Sequence, residues 1–190
     1  MSSLDSNFDT LVERMKRGRD FDNASFEPVY YLVFPVSDIL NVKQKMKAWT
    51  ARLRNAGWTP ETFSMAEAVD DILKTAPVRK IWEMADRKSP QNWERTNSSL
   101  ANALSGGALQ KRLEDRLRSL EGRPGAVLLV TDLEALHPYL RIGSIESRLY
   151  GQFKVPTVFF YPGERAGTTR LKFLGFYPED GNYRSVHVGG

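Results

Sequence analysis

The stretch VPTVFFYPGERAGTTRLKFLGF, Val155 to Phe176, places a loop with two glycines directly after an apolar run, the setting in which a phosphate-binding loop is built. Such a loop needs G-x-x-x-x-G-K-[ST], so that backbone amides wrap the phosphates and a lysine reaches the terminal ones. Here Gly163 and Gly167 stand as G-x-x-x-G, Thr168 follows where the pattern wants otherwise, and the next residues read as strand. No helix N-terminus therefore aims its dipole at an anion, and ATP and GTP are expected to bind weakly or not at all. The expected role is a turn at the rim of a sheet: Pro162 and Gly163 end a buried strand, and Gly167 gives a second permissive point. Glu164, Arg165 and Arg170 are candidates for contact with a protein partner; in the alternative, Arg165, Thr168, Thr169 and Arg170 touch phosphate or a nucleic-acid backbone.

Asp132 follows the run AVLLVT directly. A carboxylate there would hold magnesium in an NTPase, but with no phosphate loop upstream it is better suited to cap the helix that begins at Leu133. His137 and His187 are the two histidines, and each reads as a packed or surface side chain. There is no cysteine, which removes disulfides, thiolate ligands and cysteine nucleophiles together. No G-x-S-x-G occurs, Ser144 and Ser147 lie outside any strand-to-helix elbow, and Asp70 and Asp71 point to different azimuths of one helix. The sequence thus nominates no catalytic residue, no metal site and no cofactor.

The elements that position these residues follow from hydrophobic periodicity. Phe8, Leu11, Val12 and Met15 recur at helical spacing. PVYYLVF, Pro28 to Phe34, is continuous, aromatic and β-branched, which predicts a strand covered on both faces. Asp38 can cap the next helix, whose stripe is Val42, Met46, Trp49 and Leu53, ending at Asn55 to Gly57. A short element near WTPETFS follows, then a helix from Met65 to Leu73, and Pro77 interrupts. The segment 65–122 is largely helical and is broken at Ser105, Gly106 and Gly107. AVLLVTD and Thr157 to Tyr161 are further buried strands, with helical pieces punctuated by Pro138 and Gly143 between them. The last 20 residues hold two β-like runs around the turn signal PEDGN. Together these predict a three-layer α/β fold: a mainly parallel central sheet holding 29–34, 126–131 and 157–161, helices on both faces, a helical central segment, and a C-terminal β-hairpin or edge strands.

Composition sets limits on function. The chain has 190 residues, 27 basic against 23 acidic, a net charge of +4, and 41% hydrophobic positions, enough for one domain with its own core. The basic surplus is spread along the chain, so it favours a negative partner only weakly. On the helix ALQKRLEDRLRSLEG the basic and acidic residues alternate, as on a solvated face with mutual support. The opening residues lack the apolar core of a signal peptide and no run is long enough for a membrane span, which predicts an intracellular, cytoplasmic protein with no membrane contact.

From Leu128 to Val188 the chain resembles the BrxB family of the bacteriophage exclusion (BREX) defence systems. The features that carry the resemblance are an apolar strand, Pro138 with Leu140 and Arg141, Leu149, the run Val158 to Gly163, Leu171 to Phe173, and Asn182-Tyr183-Arg184. YYLVFPVSDILNVKQKMKAWTARLRNAGW is similar to the first strand, proline, acidic cap and long helix of that family. The resemblance implies a single BrxB-like domain over 1–190 and a defence component that is non-enzymatic or of unassigned activity. Its expected partners are other BREX components, the alkaline-phosphatase-like protein among them, and its expected work is to recruit or stabilise them. A nucleic-acid-binding module or a degenerate nucleotide-binding protein stays the alternative, with direct DNA contact not favoured. Arg141, Tyr183 and Arg184 join the candidates for partner contact, and Pro138 joins Asp132, Pro162, Gly163 and Gly167 as structural.

Overall fold

The computed structural model describes residues 3–20, 27–167, 170–181 and 185–190. Its centre is a sheet in the order β2-β3-β4-β1-β7. The strands are β1 (Val29–Phe34), β2 (Thr59–Ser64), β3 (Ala126–Thr131), β4 (Thr157–Ala166) and β7 (Val186–Gly189). All neighbours along this path run parallel. The three apolar runs of the sequence are β1, β3 and β4, and they lie side by side at its centre.

Their lack of polar alternation has a direct cause. Tyr30, Leu32 and Phe34 of β1 join one core with Val127, Leu129, Val158 and Phe160. Val29, Tyr31 and Val33 join another with Leu128, Val130, Phe159 and Tyr161. A strand packed on both faces has no side facing water, so both sets must be apolar. The first core is closed by α1 (Ser3–Asp20) and α2 (Ile39–Asn55), where the Phe8 and Trp49 rings stack at 4.5 Å. The Trp49 indole N–H donates to Asp5 at 3.0 Å, so its polar edge is satisfied as its area is buried.

The second core is closed by α3 (Met65–Thr75), α5 (Trp93–Ser105), α6 (Ala108–Leu120) and α7 (Ile142–Arg148). With α4 (Arg79–Lys88), the first three make up the helical segment expected over 65–122. α3 begins with a cap in which Ser64 Oγ accepts from the Glu67 N–H. The α5–α6 break falls at Gly106 and Gly107, and Gly107 adopts φ +90°, a conformation a side chain would oppose. α6 buries Leu109, Leu113, Leu117 and Leu120, while Lys111–Asp115 and Arg118–Glu114 pair along its exposed side, as the alternating charges implied. Asp38 sits at the N-cap of α2 but accepts from the Asn41 amide at 2.8 Å and makes no bond to the helix backbone.

The C-terminal part departs from the sequence reading in two respects. Pro162 and Gly163 do not end β4, which runs on to Ala166. Beyond the end of β1 it exchanges its parallel neighbours for β5 (Arg170–Phe173), an antiparallel partner, so the hairpin joins β4 to β5. The turn signal PEDGN does not join two hairpin strands either: Glu179–Asp180 form β6 against β5, and β7 adds to the sheet in parallel beside β1. The open edge of β1 accepts a strand in either direction, and local turn chemistry cannot reveal which.

Candidate functional site

A cleft of about 840 Å³ opens between the start of β1, the segment 138–141, α7 and residues 177–181. Glu146 forms its acidic centre. Ile142 and Ile145 pack inward on α7, and Glu146 stands four residues after Ile142, on the helix face turned to the core. Its carboxylate accepts a hydrogen bond from the Tyr31 hydroxyl, which β1 holds under α7, and the Tyr31 ring stacks on Phe159 at 5.0 Å. Burial pushes the Glu146 carboxyl up to about 7; the Tyr31 bond opposes this, and the nearby charges of Glu27 and Asp180 add to it. On the opposite wall the Arg141 guanidinium lies 4.6 Å from the centroid of the Tyr177 ring. The Tyr177 hydroxyl in turn meets His137 Nδ1, and Tyr139 donates to Asn97 of α5 at 3.1 Å.

A second, smaller crevice of about 370 Å³ lies at the carboxyl ends of β2 and β3, against α2. Here the capping role expected of Asp132 is not met. Asp132 precedes a 3-10 turn, Leu133–Leu136, in a left-handed conformation (φ 59°, ψ 38°) and makes no side-chain cap bond. Its carboxylate accepts instead from Lys43 at 2.8 Å, Ser64 at 2.6 Å and Thr131 at 2.8 Å, and Lys43 also reaches Glu134 at 2.7 Å. With three donors within reach, the side chain satisfies itself across α2 and β2 better than it would on one helix N-terminus. Partial burial works against the charged form, yet these bonds hold the Asp132 carboxyl below its ordinary value.

That sign gives a prediction. A depressed carboxyl contributes stability above its unfolded pKa and loses it as the pH falls through the folded one. Lys43→Met is expected to cost less than about 1 kcal/mol at neutral pH, because Lys43 is half exposed. It should also flatten the acid limb of the stability curve. Urea unfolding of both proteins between pH 3 and 7 checks this; parallel acid limbs would count against the Lys43 bond as the cause.

The charged candidates from the opening stretch are spread over the β4–β5 hairpin and its surroundings. Glu164 and Arg165 are exposed strand residues opposite Lys172 and Leu171, and Arg165 reaches the Gly189 carbonyl at 3.5 Å. Arg170 pairs with Glu179 at 3.0 Å. Thr168, Thr169, Asn182, Tyr183 and Arg184 lie outside the described residues. His187 is buried in β7 with its ring edge-on to Tyr31, and burial, then the Arg165 charge, lowers it to about 4. His137 and His187 thus stand in different surroundings, and among the described residues no group of three or more His, Cys, Asp or Glu could hold a metal ion. No helix among them is long and apolar enough to cross a membrane.

Of the cleft, sequence reasoning found Pro138 and Arg141 and missed Glu27, Tyr31, Glu146 and Tyr177. One signal was available: a carboxylate inside the apolar stripe Ile142, Ile145, Glu146, Leu149.

The family model described as BREX protein BrxB matches residues 62–188, which takes in the second half of β2, the whole helical segment, β3, α7, β4, the hairpin and most of β7. The chain belongs to the BrxB family. Membership suggests a component of a BREX phage-defence system, with other BREX components as its partners. The match takes in the cleft walls from Pro138 to Gly181 and also the helices α3 to α6, where the sequence resemblance rested on helicity alone. β1 and α2, which also resemble BrxB, precede the matched residues, yet β1 pairs with β4 in the same sheet. No curated protein and no solved structure matches the chain.

Proposed function

We propose that this BrxB-family chain works as a non-enzymatic recruiting component, which binds and stabilises partner defence proteins, the alkaline-phosphatase-like BREX component foremost. The observation that carries this reading is the family match over residues 62–188. It is supported by how the polar groups of the two crevices are engaged. Lys43 is held by Asp132 and Glu134, and Glu146 receives Tyr31. Groups spent on one another hold elements together and leave recognition to the outer surface. Arg141, Glu164, Arg165 and Arg170 are the proposed contact residues within the described chain.

The test is co-purification of the tagged chain with the products of its genomic neighbourhood, washed at rising salt. A complex that persists at about 0.5 M salt fits packed protein contact, whereas one lost steeply fits phosphate neutralisation. Within that assay, Glu164→Ala/Arg165→Ala is expected to fold normally, since both side chains are exposed, and to weaken partner capture more than DNA retention. Pull-down and DNA-shift titrations on one preparation measure the two losses; selective loss of DNA retention would favour the nucleic-acid alternative.

A further inference from the structure

Four of the large apolar side chains left exposed lie in one short stretch: Val78, Ile81, Met84 and Trp93. The helix that carries Ile81 and Met84 is anchored thinly. α4 buries a single residue, Trp82, whose indole N–H donates to Ser99 Oγ at 2.8 Å. The Thr96 hydroxyl donates to Asp86 at 3.2 Å, tying the first turn of α5, where Trp93 stands, to the last turn of α4. At about 100° per residue, Ile81 and Met84 face away from Trp82, and Lys80, Arg87 and Lys88 fall beside them. Ile81 is 58% and Met84 60% exposed, so neither serves the core beneath.

Several cations flank this stripe. Arg79 is held by Glu83 at 2.8 Å, but among the described residues no ion pair engages Lys80, Arg87, Lys88 or Arg95. An apolar stripe with a rim of unspent cations matches a surface with an apolar centre and an acidic rim. Phosphate neutralisation alone would have no use for Ile81 and Met84. A narrow, convex ridge of about three turns is also the shape along which a second helix packs, its ridges entering the grooves of the first.

We infer that the outer face of α4, continued by Trp93, is the docking surface for an acidic amphipathic helix of a partner protein. The inference deepens the recruiting function and rests on it, but it places the contact away from the β4–β5 hairpin.

The probe is a labelled synthetic peptide of roughly 18 residues, long enough to be helical, with leucines at i, i+4 and i+7 and glutamates alongside. It is titrated against the full chain by fluorescence anisotropy, next to a peptide with lysines in place of the glutamates, one with serines in place of the leucines, and a DNA duplex. The wild-type chain should bind the glutamate peptide saturably and the other two peptides at least about tenfold more weakly. Ile81→Gln/Met84→Gln and Lys80→Glu/Lys88→Glu should each lose about tenfold or more in affinity, with unfolding curves unchanged, because these side chains are exposed. Undiminished binding by both variants would overturn the inference. So would tighter binding to DNA than to the glutamate peptide, or a wild-type dimer in sedimentation that Ile81→Gln/Met84→Gln abolishes. Repeating the co-purification with the same variants separates the two proposals. A complex that survives Ile81→Gln/Met84→Gln removes this surface and leaves recruitment standing, whereas no complex with wild type removes recruitment and leaves the surface to the peptide titration.

Discussion

Gly163→Ala is expected to lower stability by about 3 kcal/mol or more, although it adds one methyl group. β4 and β5 approach so closely at Gly163 that a Cβ there would lie 2.3 Å from the Lys172 carbonyl oxygen and 2.8 Å from the Tyr161 ring. The first neighbour is backbone and cannot swing aside. Relief requires β5 to move, which opens the pairing of Gly163 with Phe173 and pulls Phe173 from the Tyr161 ring, now 5.5 Å away between centroids. Gly167→Ala provides the contrast. It has φ +75° with nothing near its missing side chain, so its cost is conformational strain of about 1 kcal/mol. Urea unfolding of the two variants should separate them clearly; similar small losses would mean that β5 is held loosely.

The second large effect concerns Glu146. Its carboxyl is raised in the fold to about 7 from an ordinary 4.5, so the folded chain binds a proton that the unfolded chain releases. The stability this adds is fully present below about pH 4.5 and is lost as the pH rises through about 7. Glu146→Gln keeps an acceptor for Tyr31 and cannot ionise. It should come closest to wild type at pH 5 and exceed it at pH 8 by up to about 3 kcal/mol. The other charged groups facing this carboxyl, Glu27 and Asp180, oppose its ionisation and reinforce the trend. His187 works in the opposite sense: lowered to about 4, it contributes stability above its ordinary 6.5 that is lost as the pH falls through the folded value. Thermal unfolding of wild type and Glu146→Gln across pH 5 to 8 reads the difference directly. A gap that does not widen with pH would mean that water reaches the carboxylate.

What could be read in advance depended on whether the controlling interaction was local. β1, β3 and β4 were legible because burial on both faces writes itself into consecutive residues, and α6 because its leucines recur every three or four positions. The extension of β4 past Gly163 was not, because it depends on β5 arriving opposite, and a proline and a glycine in sequence look like an end. The same holds for β7, whose direction is set by the free edge of β1. Asp132 was recognised as structural but given the wrong partner, since Lys43 and Ser64 reach it from distant parts of the chain. The cleft combines Tyr31 from β1, Glu146 from α7 and Tyr177 from beyond β5, and only the misplaced carboxylate on the apolar stripe announced it. The exposed stripe of α4 was hidden for another reason: its spacing is that of any amphipathic helix, and only the fold reveals that Trp82, not Ile81 or Met84, faces inward.

Recruitment is tested most directly by titrating the purified chain against the purified alkaline-phosphatase-like component of its own BREX system, beside a DNA duplex, in one buffer at about 0.5 M salt. The predicted result is saturable binding to the protein at a fixed stoichiometry and none to the duplex. Binding to the duplex with no measurable affinity for the protein would contradict it.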